Sequence, residues 1–97
     1  MNVAALLTAI RPTLRSEFFS TRQLAVLMIL FTERNGMDFS AVAGNLDVSK
    51  PSISRSLDTL GILKFAKRER CPKDARRVIV RLTSDGRKFV RSMLEAA

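Results

Sequence analysis

The 97-residue sequence contains no histidine, no tryptophan and no tyrosine, and it has a single cysteine, Cys71. Without histidine, neither a His/Cys zinc site nor a histidine-activated nucleophile can be built, and one cysteine supplies neither a CxxC pair nor an intrachain disulfide. The four glycines form no glycine-rich phosphate-binding loop. These absences predict a protein that is not an enzyme and that binds no metal and no cofactor.

Signals for export and membrane insertion are also missing. The apolar segment 3–10 is too short to cross a bilayer, and no basic stretch precedes it. No helix carries the broad Trp and Phe face of a membrane-surface helix, so we expect no membrane partner. A lone cysteine suits a reducing compartment, and we expect a cytoplasmic protein. Flanking cations would favour a redox-sensing Cys71 thiolate, but no resolving cysteine is present, which favours an inert thiol.

Acidic residues are scarce: nine Asp and Glu stand against seventeen Lys and Arg, and the formal net charge is +8. Most of the cations lie in the second half of the chain, at Lys64, Lys67, Arg68, Arg70, Lys73, Arg76, Arg77, Arg81, Arg87, Lys88 and Arg91. Such clustering is typical of a face that binds nucleic acid, although a charged run is also compatible with an ordinary solvated surface.

The length allows one hydrophobic core, which we assign to residues 20–97, with residues 1–19 as an apolar N-terminal segment. A short helix over residues 2–10 is closed by Arg11-Pro12, and Pro12 can open a second short turn through Phe18 and Phe19. So many apolar side chains need a partner surface. The segment therefore either covers its own core or forms a dimer interface.

A central buried helix is predicted from about Thr21. Ser20 and Gln23 have the S-x-x-Q form of a capping box, and residues 24–31 are apolar nearly throughout. Asn35-Gly36 would supply a left-handed C-terminal cap. A strand is the alternative for the apolar run, but its length and its caps favour a helix.

A helix-turn-helix is predicted next. Asp38 caps a short helix, and Asp47 occupies the turn, where a left-handed backbone usually favours Gly and is tolerated by Asp. The following helix begins at Ser49, with Ile53, Leu57 and Leu60 on its buried side.

The segment VSKPSISRS opens this second helix with a proline where no intrahelical N–H is lost, and it directs Arg55 away from the core. The positive end of the helix dipole suits a phosphate, and an arginine can reach a guanine edge in the major groove. An ordinary amphipathic helix with a good cap is the alternative. The candidate DNA contacts here are Ser49, Lys50, Pro51, Ser52, Ser54 and Arg55.

Two strands and a last helix complete the predicted order. The strands run from Phe65 to about Arg70 and over residues 78–82, and a polar loop, residues 71–77, joins them as a hairpin with a basic tip. Thr83 or Ser84 caps the last helix, whose apolar side we expect to comprise Phe89, Met93 and Leu94.

Over residues 20–93 the sequence resembles the MarR family of winged helix-turn-helix transcription regulators. The resemblance rests on the helix-turn-helix of residues 39–55, on CPKDARR at 71–77, which is similar to the family's D-P-x-D-x-R wing, and on LTSDG at 82–86, which matches L-T-x-x-G. It implies a mainly α fold with a small β-hairpin wing. Cys71 replaces a frequent Asp, and Lys64 stands where a Gly commonly ends the recognition helix.

In this family the wing arginine enters the minor groove and the preceding aspartate orients it, roles that the resemblance gives to Arg76 and Asp74. A guanidinium is attracted by the negative potential of a narrow minor groove. A generic polar hairpin turn is the alternative. The wing residues expected at DNA are Arg68, Arg70, Lys73, Asp74, Arg76 and Arg77.

Family members are usually longer, with terminal helices that build the dimer interface and the effector pocket. We therefore expect no small-molecule effector pocket here and a homodimer that depends on the termini. The residues expected at the dimer interface are Val3, Leu6, Leu7, Ile10, Met93 and Leu94.

The combined hypothesis is sequence-specific binding of double-stranded DNA by a transcription regulator, most simply a repressor. The alternatives are a winged-helix module that binds protein and a DNA-architectural protein without site preference. Lys50, Arg55 and the wing arginines argue against the protein-binding module.

Overall fold

The computed structural model describes residues 2–11 and 20–96. The turn expected through Phe18 and Phe19 lies outside these residues. Within them the chain forms five helices and one three-stranded antiparallel sheet, with strand order β1-β3-β2. In chain order the elements are α1 (Val3–Ile10), α2 (Thr21–Phe31), β1 (Met37–Asp38), α3 (Phe39–Leu46), α4 (Lys50–Ile62), β2 (Ala66–Cys71), β3 (Asp74–Leu82) and α5 (Ser84–Ala96). This is the predicted mainly α winged helix-turn-helix.

The first two helices begin where the sequence predicts. Asn2 caps α1 by accepting the N–H of Ala5 at 2.7 Å. At α2 the capping box is complete: Ser20 Oγ accepts the N–H of Gln23 at 3.2 Å, and Gln23 Oε1 accepts the N–H of Ser20 at 2.9 Å. The strand alternative for residues 24–31 is therefore wrong.

The end of α2 differs from the prediction. The helix ends at Phe31, so Asn35-Gly36 is too far along the chain to cap it. The Arg87 guanidinium on α5 donates instead to the carbonyls of Phe31 and Glu33, at 3.4 and 3.5 Å. Gly36 does have a left-handed φ of +88°, but this conformation turns the chain into β1 and does not end α2.

The helix-turn-helix is confirmed. Asp38 caps α3, and Asp47 adopts the left-handed conformation with φ 54° and ψ 46°. The N–H groups of Val48 and Asp47 donate to the carbonyls of Ala43 and Gly44, at 3.1 and 3.3 Å. This is the Schellman arrangement, which satisfies the last carbonyls of α3 and turns the chain directly into α4.

One core lies under α4. Ile53, Leu57 and Leu60 are at most 2% exposed, and they share a cluster with buried residues of α2, α3, the sheet and α5. The members from those other elements are Val26, Leu27, Leu30, Val42, Ala43, Ala66, Val80, Leu82 and Val90.

The hairpin is longer than predicted. Only Pro72 and Lys73 lie between the strands, since β3 already begins at Asp74. Residues 74–77 show no alternation of large apolar and polar side chains, and residues 75–77 are exposed on both sides of the wing. Backbone pairing with β2 extends β3 through these residues. The short strand β1, which the sequence does not predict, pairs with the other side of β3.

Thr83 caps α5, as expected. Its Oγ1 accepts the N–H of Gly86 at 3.0 Å and donates to the carbonyl of Lys64 at 2.6 Å. The expected apolar side is correct for Phe89 and Met93 but wrong for Leu94, whose side chain is 56% exposed. On this helix Val90 is buried instead, since it lies three residues before Met93 on the same side.

The end of α4 and the start of α5 meet closely. Lys64 takes the left-handed conformation with φ 62°, as its place in a position usually held by Gly suggests, and the N–H of Phe65 donates to the carbonyl of Leu60 at 2.9 Å. A Cβ on Gly86 would lie 2.1 Å from the Phe65 carbonyl oxygen. The glycine of the LTSDG motif is therefore required by packing.

We predict that Gly86→Ala lowers the free energy of unfolding by at least about 2 kcal/mol, because backbone has to move to admit the methyl group. Gly44→Ala is the control: a Cβ there meets no atom within 4 Å. In the middle of α3 it should raise stability by up to about 1 kcal/mol. Urea unfolding of both variants measures the difference, and equal effects would contradict the packing at Gly86.

Candidate nucleic-acid interface

The first turn of α4 is held by its cap. Ser49 Oγ accepts the N–H of Ser52 at 3.3 Å, and the Ser49 hydroxyl donates to Ser52 Oγ at 3.0 Å. Pro51 is the second residue of the helix, where it removes no intrahelical hydrogen bond. The positive end of the helix dipole is therefore built on a rigid, proline-containing turn.

The predicted contacts on α4 lie together around this turn. Lys50, Pro51 and Arg55 are exposed, with Pro51 and Arg55 on the side of the helix opposite its buried residues and Lys50 on the flank. Ser52 and Ser54 are half-buried on the flanks. The arrangement presents two cations and a helix N-terminus to solvent.

The wing tip presents a further exposed arginine, Arg76. Asp74 Oδ1 accepts both the backbone N–H of Arg76, at 3.0 Å, and its Nε–H, at 3.2 Å. The Arg76 side chain is nevertheless 93% exposed. Arg70 Nη1 donates across the hairpin to the carbonyl of Ala75 at 2.8 Å, so its guanidinium braces the tip. Lys73 is exposed in the turn.

Two other predicted wing contacts are engaged with the helices. Arg68 Nη2 forms an ion pair with Asp58 of α4, and Arg68 Nη1 donates to Ser54 Oγ at 3.3 Å. Arg77 Nε donates to Asp38 Oδ2 at 2.8 Å, at the start of α3. Neither pairing was predictable from the sequence, because each joins residues that are distant along the chain.

The Arg77–Asp38 pair is charged near neutral pH. The hydrogen bond from Arg77 lowers the pKa of the Asp38 carboxyl below its ordinary value of 3.8, against a smaller opposing effect of burial. The same hydrogen bond raises the pKa of Arg77. Both groups are therefore ionised wherever the protein would meet DNA.

Another ion pair network lies within the sheet. Glu69 Oε1 is 3.1 Å from Lys67 Nζ, and Glu69 Oε2 is 3.6 Å from Arg81 Nη2 on the neighbouring strand. The first pair lies within β2 and the second joins β2 to β3, and neither makes a link to a helix.

A groove separates the C-terminal half of α4 from β2. Its volume is about 460 Å³. The residues that line it are Leu57, Asp58, Gly61, Ile62, Ala66, Lys67 and Arg68. Apolar packing therefore does not fill the space between recognition helix and wing, and the Arg68–Asp58 pair lies along it.

Most of the apolar residues predicted at a dimer interface are exposed, but not all of them. Val3, Leu6, Leu7 and Leu94 are 84, 49, 44 and 56% exposed, and Ile10 is half-buried. Met93 is only 3% exposed, so it packs inside the chain on α5, the helix that α1 contacts. Helix α1 thus covers part of its own chain and still leaves an apolar surface.

Residues 2–11 and 20–96 contain no group of three His, Cys, Asp or Glu side chains placed to hold a metal ion. None of the helices formed by these residues is long and apolar enough to span a membrane.

Comparison with known proteins gives structural neighbours only. No protein-family model and no curated protein matches the sequence. The S. aureus MepR–DNA complex aligns with TM-score 0.80 and 22% identity, covering 96% of this chain and 73% of MepR. Reduced AbfR bound to DNA aligns with TM-score 0.76 and 25% identity, over 96% of this chain and 64% of AbfR.

The transcriptional regulator PcaV from Streptomyces coelicolor, in complex with its natural ligand, has TM-score 0.76 and 28% identity over 92% of this chain. The aligned part of this chain spans only 62% of the length of PcaV. These neighbours are MarR-family regulators, as the sequence resemblance implies. The chain therefore has the winged helix-turn-helix fold of the MarR-family transcription regulators to which it is similar over most of its length.

Proposed function

We propose that this chain binds double-stranded DNA sequence-specifically and regulates transcription, most simply as a repressor that occludes a promoter. The observation that carries the proposal is the placement of two exposed arginines, Arg55 on the first turns of α4 and Arg76 at the wing tip, on one winged helix-turn-helix. The structural neighbours MepR and AbfR are bound to DNA in their structures.

The recognition helix enters the major groove in this proposal. Its N-terminal turn carries Lys50 and Arg55 on the solvent side, where a guanidinium can bond bidentately to guanine O6 and N7. Ser49 and Ser52 are bonded to each other and stiffen the turn, and the positive end of the helix lies against a phosphate.

The wing lies along the adjacent minor groove. Asp74 holds the Arg76 backbone and Nε, which directs the far end of the guanidinium outward. An arginine preordered in this way loses less side-chain entropy when it inserts into a narrow groove. Lys73 adds a phosphate contact from the turn.

The two alternative functions require different binding properties and different surfaces. A DNA-architectural protein would bind without preference among sequences, and a protein-binding winged helix would not need exposed cations on the recognition helix. The exposed Arg55 on the first turns of α4 is available to contact base edges, which supports site-specific binding. A cytoplasmic location belongs to the same proposal.

We infer that the protein binds as a homodimer. Val3, Leu6 and Leu7 on α1 and Leu94 on α5 are exposed apolar residues on two helices in contact, and a two-fold interface would bury them. Two recognition helices related by a dyad would then read a palindromic site with half-sites one helical turn apart.

We predict that Arg55→Ala costs about 1–3 kcal/mol on a preferred duplex and little on a random one, since it removes a base contact. Arg76→Ala should weaken both duplexes by a similar factor. Arg91→Ala, an exposed cation outside the proposed interface, is the control. Fluorescence anisotropy measures all three variants, and unchanged affinities for Arg55→Ala and Arg76→Ala would refute the assignment.

We predict that Leu6→Glu combined with Leu7→Glu gives a monomer, because charges would be buried at the dyad. Affinity for a palindrome should fall about a hundredfold as avidity is lost. Ile62→Glu, at an apolar residue that is 73% exposed on α4, is the control and should leave the mass unchanged. Light scattering reports the mass, and a dimer that survives the double change would exclude this interface.

A further inference from the structure

Each strand of the wing carries an arginine that is bound to a carboxylate of the helix-turn-helix. On β2 it is Arg68, paired with Asp58 of α4, and on β3 it is Arg77, paired with Asp38 at the start of α3. The two pairs therefore join the wing to both helices of the helix-turn-helix.

Asp38 has two tasks, one for each oxygen. Its Oδ1 accepts the N–H of Ser40 at 2.9 Å and caps α3, while its Oδ2 accepts from Arg77 at 2.8 Å. The side chain is 23% exposed, so solvent screens this pair less than a fully exposed one. The Asp38 carboxylate therefore contacts both the first turn of α3 and the wing strand β3.

Arg68 bridges two successive turns of α4. One guanidinium nitrogen is bound to Ser54 and the other to Asp58, four residues further along the helix. Ser54 belongs to the turn that also carries Arg55. The wing is thereby tied to the part of α4 that is proposed to read DNA.

Little else fixes the outer wing. Ala66, Val80 and Leu82 bury the base of the hairpin, whereas residues 67–70 and 75–77 are exposed on both strands. The groove of about 460 Å³ between α4 and β2 shows that apolar packing does not close the gap. Backbone pairing of β1 with β3 extends only to Ile79, so polar side-chain links set the angle of the wing beyond that residue.

We propose that Asp38 and Asp58 are positioning residues that hold the wing at the angle at which Arg76 reaches the minor groove while α4 occupies the major groove. This inference rests on the DNA binding proposed above. Neither aspartate needs to contact DNA, and each acts through an arginine that would otherwise be counted as a DNA contact.

The expected loss of DNA affinity depends on how often the freed wing occupies its competent orientation. Exposed ion pairs are individually weak, so loss of both links frees the wing without unfolding it. If the competent orientation is then populated for about a fifth of the time, the apparent Kd rises about fivefold. Removing two negative charges near DNA acts in the opposite direction, so the comparison needs a control matched in charge.

The chain offers that control in Glu69. Glu69→Gln removes one negative charge from the wing, as each single aspartate variant does, so a pure charge effect in the double variant should be about twice as large as in Glu69→Gln. The change breaks only pairs that lie within the sheet. The test variants are Asp38→Asn, Asp58→Asn and their combination. Asparagine is a good N-cap, so Asp38→Asn keeps the cap of α3 while it loses the charge opposite Arg77.

Dimethyl sulfate footprinting on a selected duplex reads both grooves at once, since it methylates guanine N7 in the major groove and adenine N3 in the minor groove. For the doubly substituted protein we expect guanine protection to remain and adenine protection to be lost. Glu69→Gln should retain both. Full adenine protection in the double variant, or affinity that rises as it does for Glu69→Gln, would overturn the inference.

A readout without DNA separates this inference from the proposed function. A nitroxide is attached at the wing tip through Lys73→Cys in a Cys71→Ser background, and its electron paramagnetic resonance spectrum reports wing motion. The double variant should show a more mobile spectrum than Glu69→Gln, and identical spectra would refute the positioning role. A wild-type protein that protects neither groove would instead refute the proposed function.

Discussion

The burial of one side of α4 is the constraint on which the rest of the interface depends. Ile53, Leu57 and Leu60 repeat at helical spacing and are almost fully excluded from solvent, so the rotation of the helix about its axis is fixed. Once that side faces α2, Arg55 can only point outward. A small core therefore determines which residues the recognition helix presents.

The remaining links transmit that constraint to the neighbouring elements. The left-handed residues Asp47 and Lys64 end α3 and α4 abruptly, and Thr83 joins the end of α4 to the start of α5. The LTSDG motif is thus structural: its threonine caps and its glycine admits a close backbone contact. Basic residues need not all be DNA contacts either, since Arg87 caps the end of α2.

Local signals explain what could be predicted from the sequence. The caps at Ser20 and Ser49 and the apolar spacing in α4 depend on residues within one or two turns, and the structure follows them closely. Strand β1 and the pairing of Arg77 with Asp38 involve partners about forty residues apart along the chain, and a single sequence carries no signal for them. For residues 74–77 the sequence predicts a loop, because an exposed wing has no apolar side that would indicate a strand.

Fluorescence-anisotropy titration at two salt concentrations, against a palindrome selected from genomic DNA and a random duplex, tests the central claim most directly. If the protein makes about six to ten phosphate contacts, log K should fall against log salt with a slope of roughly −5 to −9. The account predicts this slope together with tighter binding to the selected palindrome. Salt-independent or absent binding would contradict it. Equal affinity for the two duplexes would also contradict it and would indicate an architectural protein that binds DNA without site preference.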